Sequence, residues 1–105
     1  MKLYQITLPM FDNAGLNTNV ARVQWEKAAL QAAGGFTRLP AAEGAWLGPD
    51  GKTYTDRSRA YHIACEEWAF AGLLAEAFRL FPDQLAIFTA EIGMAIIHER
   101  PKAAA

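Results

Sequence analysis

The chain has 105 residues, of which 52% are hydrophobic, and its formal net charge at pH 7 is −1. This composition excludes a disordered chain, and the near-neutral charge excludes strong sequence-independent nucleic-acid binding. The single Cys65 excludes an internal disulfide and a cysteine-based zinc cluster. No apolar run is long enough to be a signal peptide or to span a bilayer, so we expect a cytoplasmic protein that does not enter a membrane.

The first two elements are predicted from their apolar spacing. Residues 3–10 alternate between apolar and polar side chains, which predicts a strand. Asn17 or Thr18 can then cap a helix that continues to about Ala33, where Gly34 and Gly35 permit the chain to leave the helical conformation.

This first helix carries two apolar stripes. One stripe contains Leu16, Val20, Val23 and Leu30, and the other contains Ala21, Trp25, Ala28 and Ala32. A helix that lies on a sheet needs one stripe for its own core. The second stripe is therefore either part of a wide buried surface or a partner surface, with Trp25 as the candidate interface residue.

A long hairpin follows the first helix. It runs from Gly34 through Trp46 to a turn at 48–51, where Pro49 presets one backbone angle and Gly51 tolerates a positive φ. The return arm continues to Cys65 and is polar from Asp56 to Arg59, which predicts that the part near the turn overhangs the core.

The second helix is predicted over residues 66–81, because Pro82 prevents its continuation. Its core-facing stripe is predicted to contain Phe70, Ala71, Leu74, Ala77, Phe78 and Phe81, and Glu67 falls on the same side. Residues 84–99 are rich in strand formers. They form either one long strand with a bulge near Gly93, which we favour, or a tight hairpin.

The order strand, helix, strand, strand, helix, strand predicts an α+β fold of the ferredoxin-like βαββαβ type, an antiparallel sheet with two helices on one face. We expect one domain over residues 1–100 and a disordered tail over 101–105. The uncovered sheet face should meet a partner, with Ile63, Leu85 and Ile87 as candidate interface residues. This predicts a homo-oligomer, a dimer or larger.

The best polar constellation contains Tyr61, His62, Glu67 and Glu91, where a carboxylate and an imidazole could converge at the sheet edge. Alternatively, Glu67 only stabilises its helix N-terminus and Glu91 lies at a solvent-facing bulge. Arg57 and Arg59, with neighbouring tyrosines, could hold a phosphate or a carboxylate. The sequence has no phosphate-binding loop, no dinucleotide fingerprint and no metal-ligand spacing, so we expect no metal and no cofactor.

Several short stretches carry a family resemblance. Gly35-Phe36-Thr37, Gly44-x-Trp46, Gly51 and Asp56-Arg57-Ser58-Arg59 resemble a family of small bacterial and phage-type proteins of unknown function with a ferredoxin-like fold. The stretch Ala64-Cys65-Glu66-Glu67-Trp68 is similar to the acidic helix start of phage S-adenosylmethionine lyases. Both resemblances imply the fold rather than an activity.

Two functional hypotheses follow. The first is a homo-oligomeric interaction protein of bacterial or phage type that binds a host or other partner protein. The second is a small enzyme, or a binder of a nucleotide or an S-adenosylmethionine-like molecule, with its pocket between subunits. The sequence leaves open whether the protein is an enzyme. The absence of a recognisable catalytic motif in the sequence favours the first hypothesis.

Overall fold

A computed structural model describes residues 1–102. The elements in chain order are β1 (Lys2–Pro9), α1 (Asn19–Ala33), β2 (Thr37–Leu47), β3 (Thr53–Cys65), α2 (Glu67–Leu80) and β4 (Thr89–Met94). The strands form one antiparallel sheet in the order β2-β3-β1-β4. The predicted α+β ferredoxin-like fold is therefore confirmed. The single domain over 1–100 stays a prediction, and positions 103–105 of the predicted tail lie outside the described residues.

The two central strands bury one face under the helices. In β1 the buried side chains are those of Tyr4, Ile6 and Leu8, and in β3 they are those of Tyr61, Ile63 and Cys65. The period of two places these residues on one face, while Gln5 and His62 share the other. The prediction that Ile63 lies at an interface on the uncovered face is wrong, because alternation along β3 directs it toward the helices.

The helix α1 faces the core with its alanine and tryptophan side. Trp25 is fully buried, and its indole Nε1 donates a hydrogen bond to the carbonyl oxygen of Leu73 in α2 at 3.0 Å. Trp25 is therefore not an interface residue, which corrects the prediction. Small side chains on this side let the helices approach closely, whereas Val20 and Val23 on the other stripe are exposed.

The helix α2 is rotated by about one residue from its predicted orientation. Its buried residues are Ala69, Phe70, Leu73 and Ala77. Phe78 is 41% exposed, so its predicted place in the core is wrong. The hydrogen bond from Trp25 to Leu73 and the stacking of Tyr4 on Phe70, with ring centroids 4.2 Å apart, fix this rotation. It also leaves Glu67 exposed.

The hairpin of β2 and β3 extends beyond the core as predicted. We call its outer part, residues 41–59, the arm. Exposure is nearly continuous in the arm, and burial along β3 begins only at Ser58 and is complete at Tyr61. The arm accounts for the elongated shape of the molecule, which measures 65 × 25 × 25 Å along its principal axes.

The last strand is shorter than predicted. β4 covers only six residues, and a register shift pairs Leu3 with Gly93 but Tyr4 with Glu91. Ile92 is therefore the extra residue of a bulge. Residues 84–99 thus contain one short bulged strand rather than a hairpin. Neither helix of the described chain has the length and apolar character needed to cross a membrane.

We expect Leu73→Ala to lower the free energy of unfolding by about 2–5 kcal/mol, because Leu73 is only 2% exposed and its truncation leaves a cavity. Leu30→Ala on α1 makes the same chemical change at a side chain that is 51% exposed, so its cost should be far smaller. Urea unfolding followed by circular dichroism measures both. Equal losses in the two variants would contradict the described orientation of the helices.

Candidate functional site

The tip of the arm is held by a dense set of local hydrogen bonds. The Gly48 N–H donates to the Lys52 carbonyl at 2.8 Å, and the Gly51 N–H donates to the Gly48 carbonyl at 3.0 Å. Gly51 has a φ of 78°, which favours glycine. The Asp50 carboxylate accepts hydrogen bonds from the Tyr54 hydroxyl and the Lys52 N–H. These hydrogen bonds lower the pKa of Asp50, and the bond from the Tyr54 hydroxyl has the largest effect.

Two aromatic rings lie next to this turn on the uncovered side of the sheet. Trp46 and Tyr54 are direct cross-strand partners, with ring centroids 5.0 Å apart and planes inclined by 23°. A side chain at Gly48 would meet the Tyr54 ring at 2.5 Å, so glycine makes room for the ring. Farther along the arm, a Cβ at Gly44 would lie 2.9 Å from the Asp56 carboxylate. Glycine at these two positions therefore shapes the surface beside the rings.

Across from the arm, on the same side of the sheet, two loops are joined to each other by hydrogen bonds. Asn13 donates from its backbone N–H to the Asp83 carboxylate at 2.7 Å and from its side-chain amide to the Asp83 carbonyl at 3.1 Å. The Thr7 N–H donates to the Phe88 carbonyl at 3.0 Å, which fixes the following segment beside β1. These contacts hold residues 83–88 across from the arm.

Between the arm and this segment lies a groove of about 650 Å³. It is lined by Thr7, Pro9, Asn13, Trp46, Asp56, Ser58, Asp83, Gln84, Leu85, Ala86, Ile87 and Phe88. Asp56 and Asp83 supply negative charge, and none of these lining residues is Lys, Arg or His. The groove thus combines apolar and aromatic walls with two carboxylates, which suits an apolar ligand that carries positive charge.

The four residues of the predicted polar constellation are not brought together. The Tyr61 side chain faces the helices, where its hydroxyl donates to Glu26 at 2.6 Å, whereas His62 faces the other side of the sheet and bonds Gln5 at 3.0 Å. Glu91 forms an ion pair with Lys2 at 2.8 Å, and Glu67 is exposed on α2. Alternation along β3 separates Tyr61 from His62, although they are adjacent in sequence.

The predicted basic and aromatic patch is also divided. Arg57 forms an exposed ion pair with Glu43, with 3.6 Å between Nε and Oε1, and lies on the face opposite Tyr54. Arg59 donates from one terminal nitrogen to the Leu39 carbonyl at 3.3 Å. The two candidate interface residues in the last segment differ: Leu85 is fully exposed in the groove, and Ile87 is half-buried against the core.

A carboxylate that sequence reasoning did not select lies at the base of the hairpin. Glu26 is 9% exposed and accepts hydrogen bonds from Tyr61 and from Arg38, whose Nε and terminal nitrogen lie 3.0 and 2.6 Å away. Burial alone would raise the pKa of Glu26, but these hydrogen bonds and the nearby positive charges outweigh burial and lower it. The pKa of Tyr61 is raised to about 12, first by burial and then by Glu26.

The described residues do not assemble a metal site within one subunit. No group of three or more His, Cys, Asp or Glu side chains in residues 1–102 is placed to hold an ion. Cys65 is buried, and burial raises the pKa of its thiol, which disfavours the thiolate that binds metals. His62 is engaged with Gln5.

Comparisons with known proteins give structural neighbours only. No protein-family model matches the chain, and no curated protein matches its sequence. The structure is similar to a divalent cation tolerance protein, CutA1, from Thermus thermophilus, with a TM-score of 0.70 and 15% identity over 92% of this chain and 86% of that one. CutA1 from Oryza sativa matches with a TM-score of 0.67 and 13% identity over 92% and 82% of the two chains.

A third neighbour is the periplasmic divalent cation tolerance protein CutA from Archaeoglobus fulgidus, with a TM-score of 0.60 and 14% identity over 96% and 86% of the chains. These neighbours come from a bacterium, a plant and an archaeon, and their family is known. The predicted resemblance to a bacterial or phage family of unknown function, or to S-adenosylmethionine lyases, is therefore wrong.

The same finding overturns the predicted function. A partner-binding protein of phage type does not agree with neighbours that are described as divalent cation tolerance proteins, and the alternative of a small enzyme or nucleotide binder fits them no better. The short stretches that carried the resemblance are mostly glycines and a strand tryptophan, with a polar run on β3 and an acidic helix start. Residues of these kinds serve turns, packing and helix ends in many folds, so they do not identify a family.

We expect stability to fall in acid as Glu26 is protonated. Its pKa is depressed below the ordinary value of 4.5, so its contribution is complete above that value and is lost as pH falls through the folded-state pKa. Glu26→Gln should cost about 1–3 kcal/mol at pH 7 and flatten this part of the acid profile. Urea unfolding at pH 7 and at several acidic pH values measures it. Glu76→Gln, at a partly exposed carboxylate that also has a lowered pKa, is the control. An unchanged acid profile in Glu26→Gln would contradict the role given to this carboxylate.

Proposed function

We propose that this protein acts in tolerance of divalent cations, as a homo-oligomer. The observation that carries the proposal is the backbone similarity to CutA1 from Thermus thermophilus, which extends over 92% of this chain and 86% of that one. A match of this extent includes both helices and the sheet that they cover rather than one shared motif. Because fold and function are separable, the proposal requires its own test.

The surface of one subunit supports self-association. Six large apolar side chains near the end of the described chain are between 49% and 101% exposed. They are Leu85, Phe88, Ile92, Met94, Ile96 and Ile97. Another copy could cover such exposed apolar side chains, and the net charge of −1 provides little electrostatic repulsion between copies. We therefore include a dimer or a larger assembly in the proposal.

The proposal assigns no cation site to a single subunit. No three His, Cys, Asp or Glu side chains in residues 1–102 are grouped to hold an ion, and among them Glu91 is paired with Lys2 and His62 with Gln5. Tolerance is accordingly proposed as a property of the cell that contains the protein, to be measured by growth. We keep the cytoplasm as the proposed compartment, which cell fractionation can test.

Deletion of the gene from its source organism should increase the sensitivity of growth to copper and zinc salts and leave sensitivity to sodium chloride unchanged. Growth curves over a series of salt concentrations provide the measurement, and a plasmid-borne copy of the gene should restore tolerance. Identical cation sensitivity with and without the gene would refute the proposed role.

Light scattering tests the assembly separately. The purified chain has a mass of 11.5 kDa, and the proposed oligomer should have at least twice that mass at micromolar concentration. A monomer at every concentration would exclude the oligomeric part of the proposal.

A further inference from the structure

Two arginines at the base of the arm lie on the side of the sheet that the helices cover. Side chains alternate along β3, so Arg57 and Arg59 share the side of the buried Tyr61. Asp56 faces the opposite side, where it lines the groove. The sheet therefore separates the two arginines from the groove.

The start of α1 brings a third arginine to the same side. The Thr18 N–H donates to the Met10 carbonyl, and the Met10 N–H donates to the Arg57 carbonyl, both at 3.0 Å. The helix therefore begins beside Arg57. Arg22 lies one turn into α1, and its Nε donates to the Thr18 hydroxyl oxygen at 3.0 Å.

The spacing along the two elements places Arg22 level with Arg59. One turn beyond Arg22, Glu26 accepts a hydrogen bond from the Tyr61 hydroxyl. Two turns of helix rise about 11 Å and four residues of strand about 13 Å, so α1 and β3 stay in step between these contacts. Arg22 and Arg59 lie midway along the two stretches. We call Arg22, Arg57 and Arg59 the arginine cluster.

The arginine cluster has little negative charge to balance it. Arg22 is 9% exposed, and its hydrogen bonds go to neutral oxygens of Thr18 and Asn17. Within residues 1–102, neither Arg22 nor Arg59 forms an ion pair with a carboxylate. Glu26 attracts Arg22 at longer range, but its two oxygens already accept hydrogen bonds from other side chains.

The remaining carboxylate is weakly held. Glu43 pairs with Arg57 at 3.6 Å, and the two side chains are 77% and 58% exposed. An exposed pair of this kind contributes little free energy. In addition, Arg22 is the fourth residue of α1, whose first turn contains no acidic residue, and a cation is disfavoured near a helix N-terminus. An anion at the cluster would relieve both imbalances.

The hydrogen bonds of Arg59 show where an anion would be held. One terminal nitrogen donates to the Leu39 carbonyl at 3.3 Å. The other edge of the guanidinium, Nε and Nη2, has no acceptor within the described chain, and Nε is buried. The same edge of Arg38 holds both oxygens of Glu26, at 3.0 and 2.6 Å. Arg59 therefore presents the edge with which arginine grips an oxyanion.

The site is open to solvent at the nitrogens that face outward. Among the guanidinium nitrogens of residues 1–102, only the Arg59 Nε is both buried and without a partner. The Nη2 of Arg59 and the Nη1 of Arg22 make no hydrogen bond, so they are accessible. Three guanidinium groups around one place suit a ligand with more than two oxygens, which a carboxylate does not have.

We propose that the arginine cluster binds a tetrahedral oxyanion, phosphate or sulfate, between α1 and the base of the arm. The Nε and Nη2 edge of Arg59 holds two of its oxygens, and the guanidinium groups of Arg22 and Arg57 contact the others. The proposal depends neither on the oligomer nor on the role in cation tolerance.

Calorimetric titration of the full chain with sodium phosphate, at constant ionic strength, tests the site. Arg59→Gln should weaken binding about tenfold or more, because a two-point charge-assisted contact is lost. Glu43→Gln should strengthen binding about two- to fivefold, since it removes a carboxylate that competes for Arg57. Arg79→Gln is the matched control, because Arg79 holds Glu76 by the same edge on α2, and its binding should be unchanged.

Nuclear magnetic resonance locates the site in the unchanged protein, so this measurement does not require a variant to fold. Phosphate should shift the Nε–H signal of Arg59 and leave that of Arg79 in place. Sulfate should compete with phosphate, whereas acetate at equal ionic strength should not. An equal response to sodium chloride, or an equal loss of affinity in Arg59→Gln and Arg79→Gln, would overturn the proposal. Growth and light scattering would still judge the proposed function separately.

Discussion

The buried indole of Trp25 determines how the two helices lie on the sheet. Its ring lies 4.9 Å from the ring of Tyr61 in the central strand, and its N–H reaches the carbonyl of Leu73 in the other helix. One side chain of α1 therefore contacts both the sheet and the other helix. A buried indole N–H without an acceptor would be costly, so the rotation of α2 that presents the Leu73 carbonyl is strongly favoured.

The polar contacts around Glu26 extend this arrangement to the base of the hairpin. Glu26 follows Trp25 in sequence, and its carboxylate joins α1 to Arg38 on β2 and to Tyr61 on β3. Because removal of one partner from a buried charged group is costly, the three groups stabilise one another. The junction between the core and the arm is therefore fixed by directional contacts as well as by apolar burial.

Periodicity was sufficient to predict the order of the elements and the overhang of the arm, because both follow from local spacing and turn chemistry. It did not predict which side of each helix is buried. On α1 both stripes are apolar, yet the side with Trp25 and Ala29 is buried, whereas Val20 and Val23 are exposed. That choice depends on the shape of the partner surface, which a single sequence does not contain.

The candidate groove was predictable only in part. The turn at 48–51 places Trp46 opposite Tyr54, so the aromatic pair follows from the hairpin register. The opposite wall depends on the contact between Asn13 and Asp83, which are seventy positions apart in the sequence. The separation of Tyr61 from His62 did follow from alternation. The grouping of those two side chains gave sequence proximity more weight than the period of the strand.

The overhang of the arm has a consequence for how the sequence can change over time. Residues near the tip contact one another rather than the core, so the hairpin can gain or lose two residues on each strand while every remaining side chain keeps its face. The paired part of β1 and β3 over the core has the opposite property, since a shift by one residue there would move buried side chains to the other face. Length variation among related chains should therefore concentrate in the arm and avoid the two central strands.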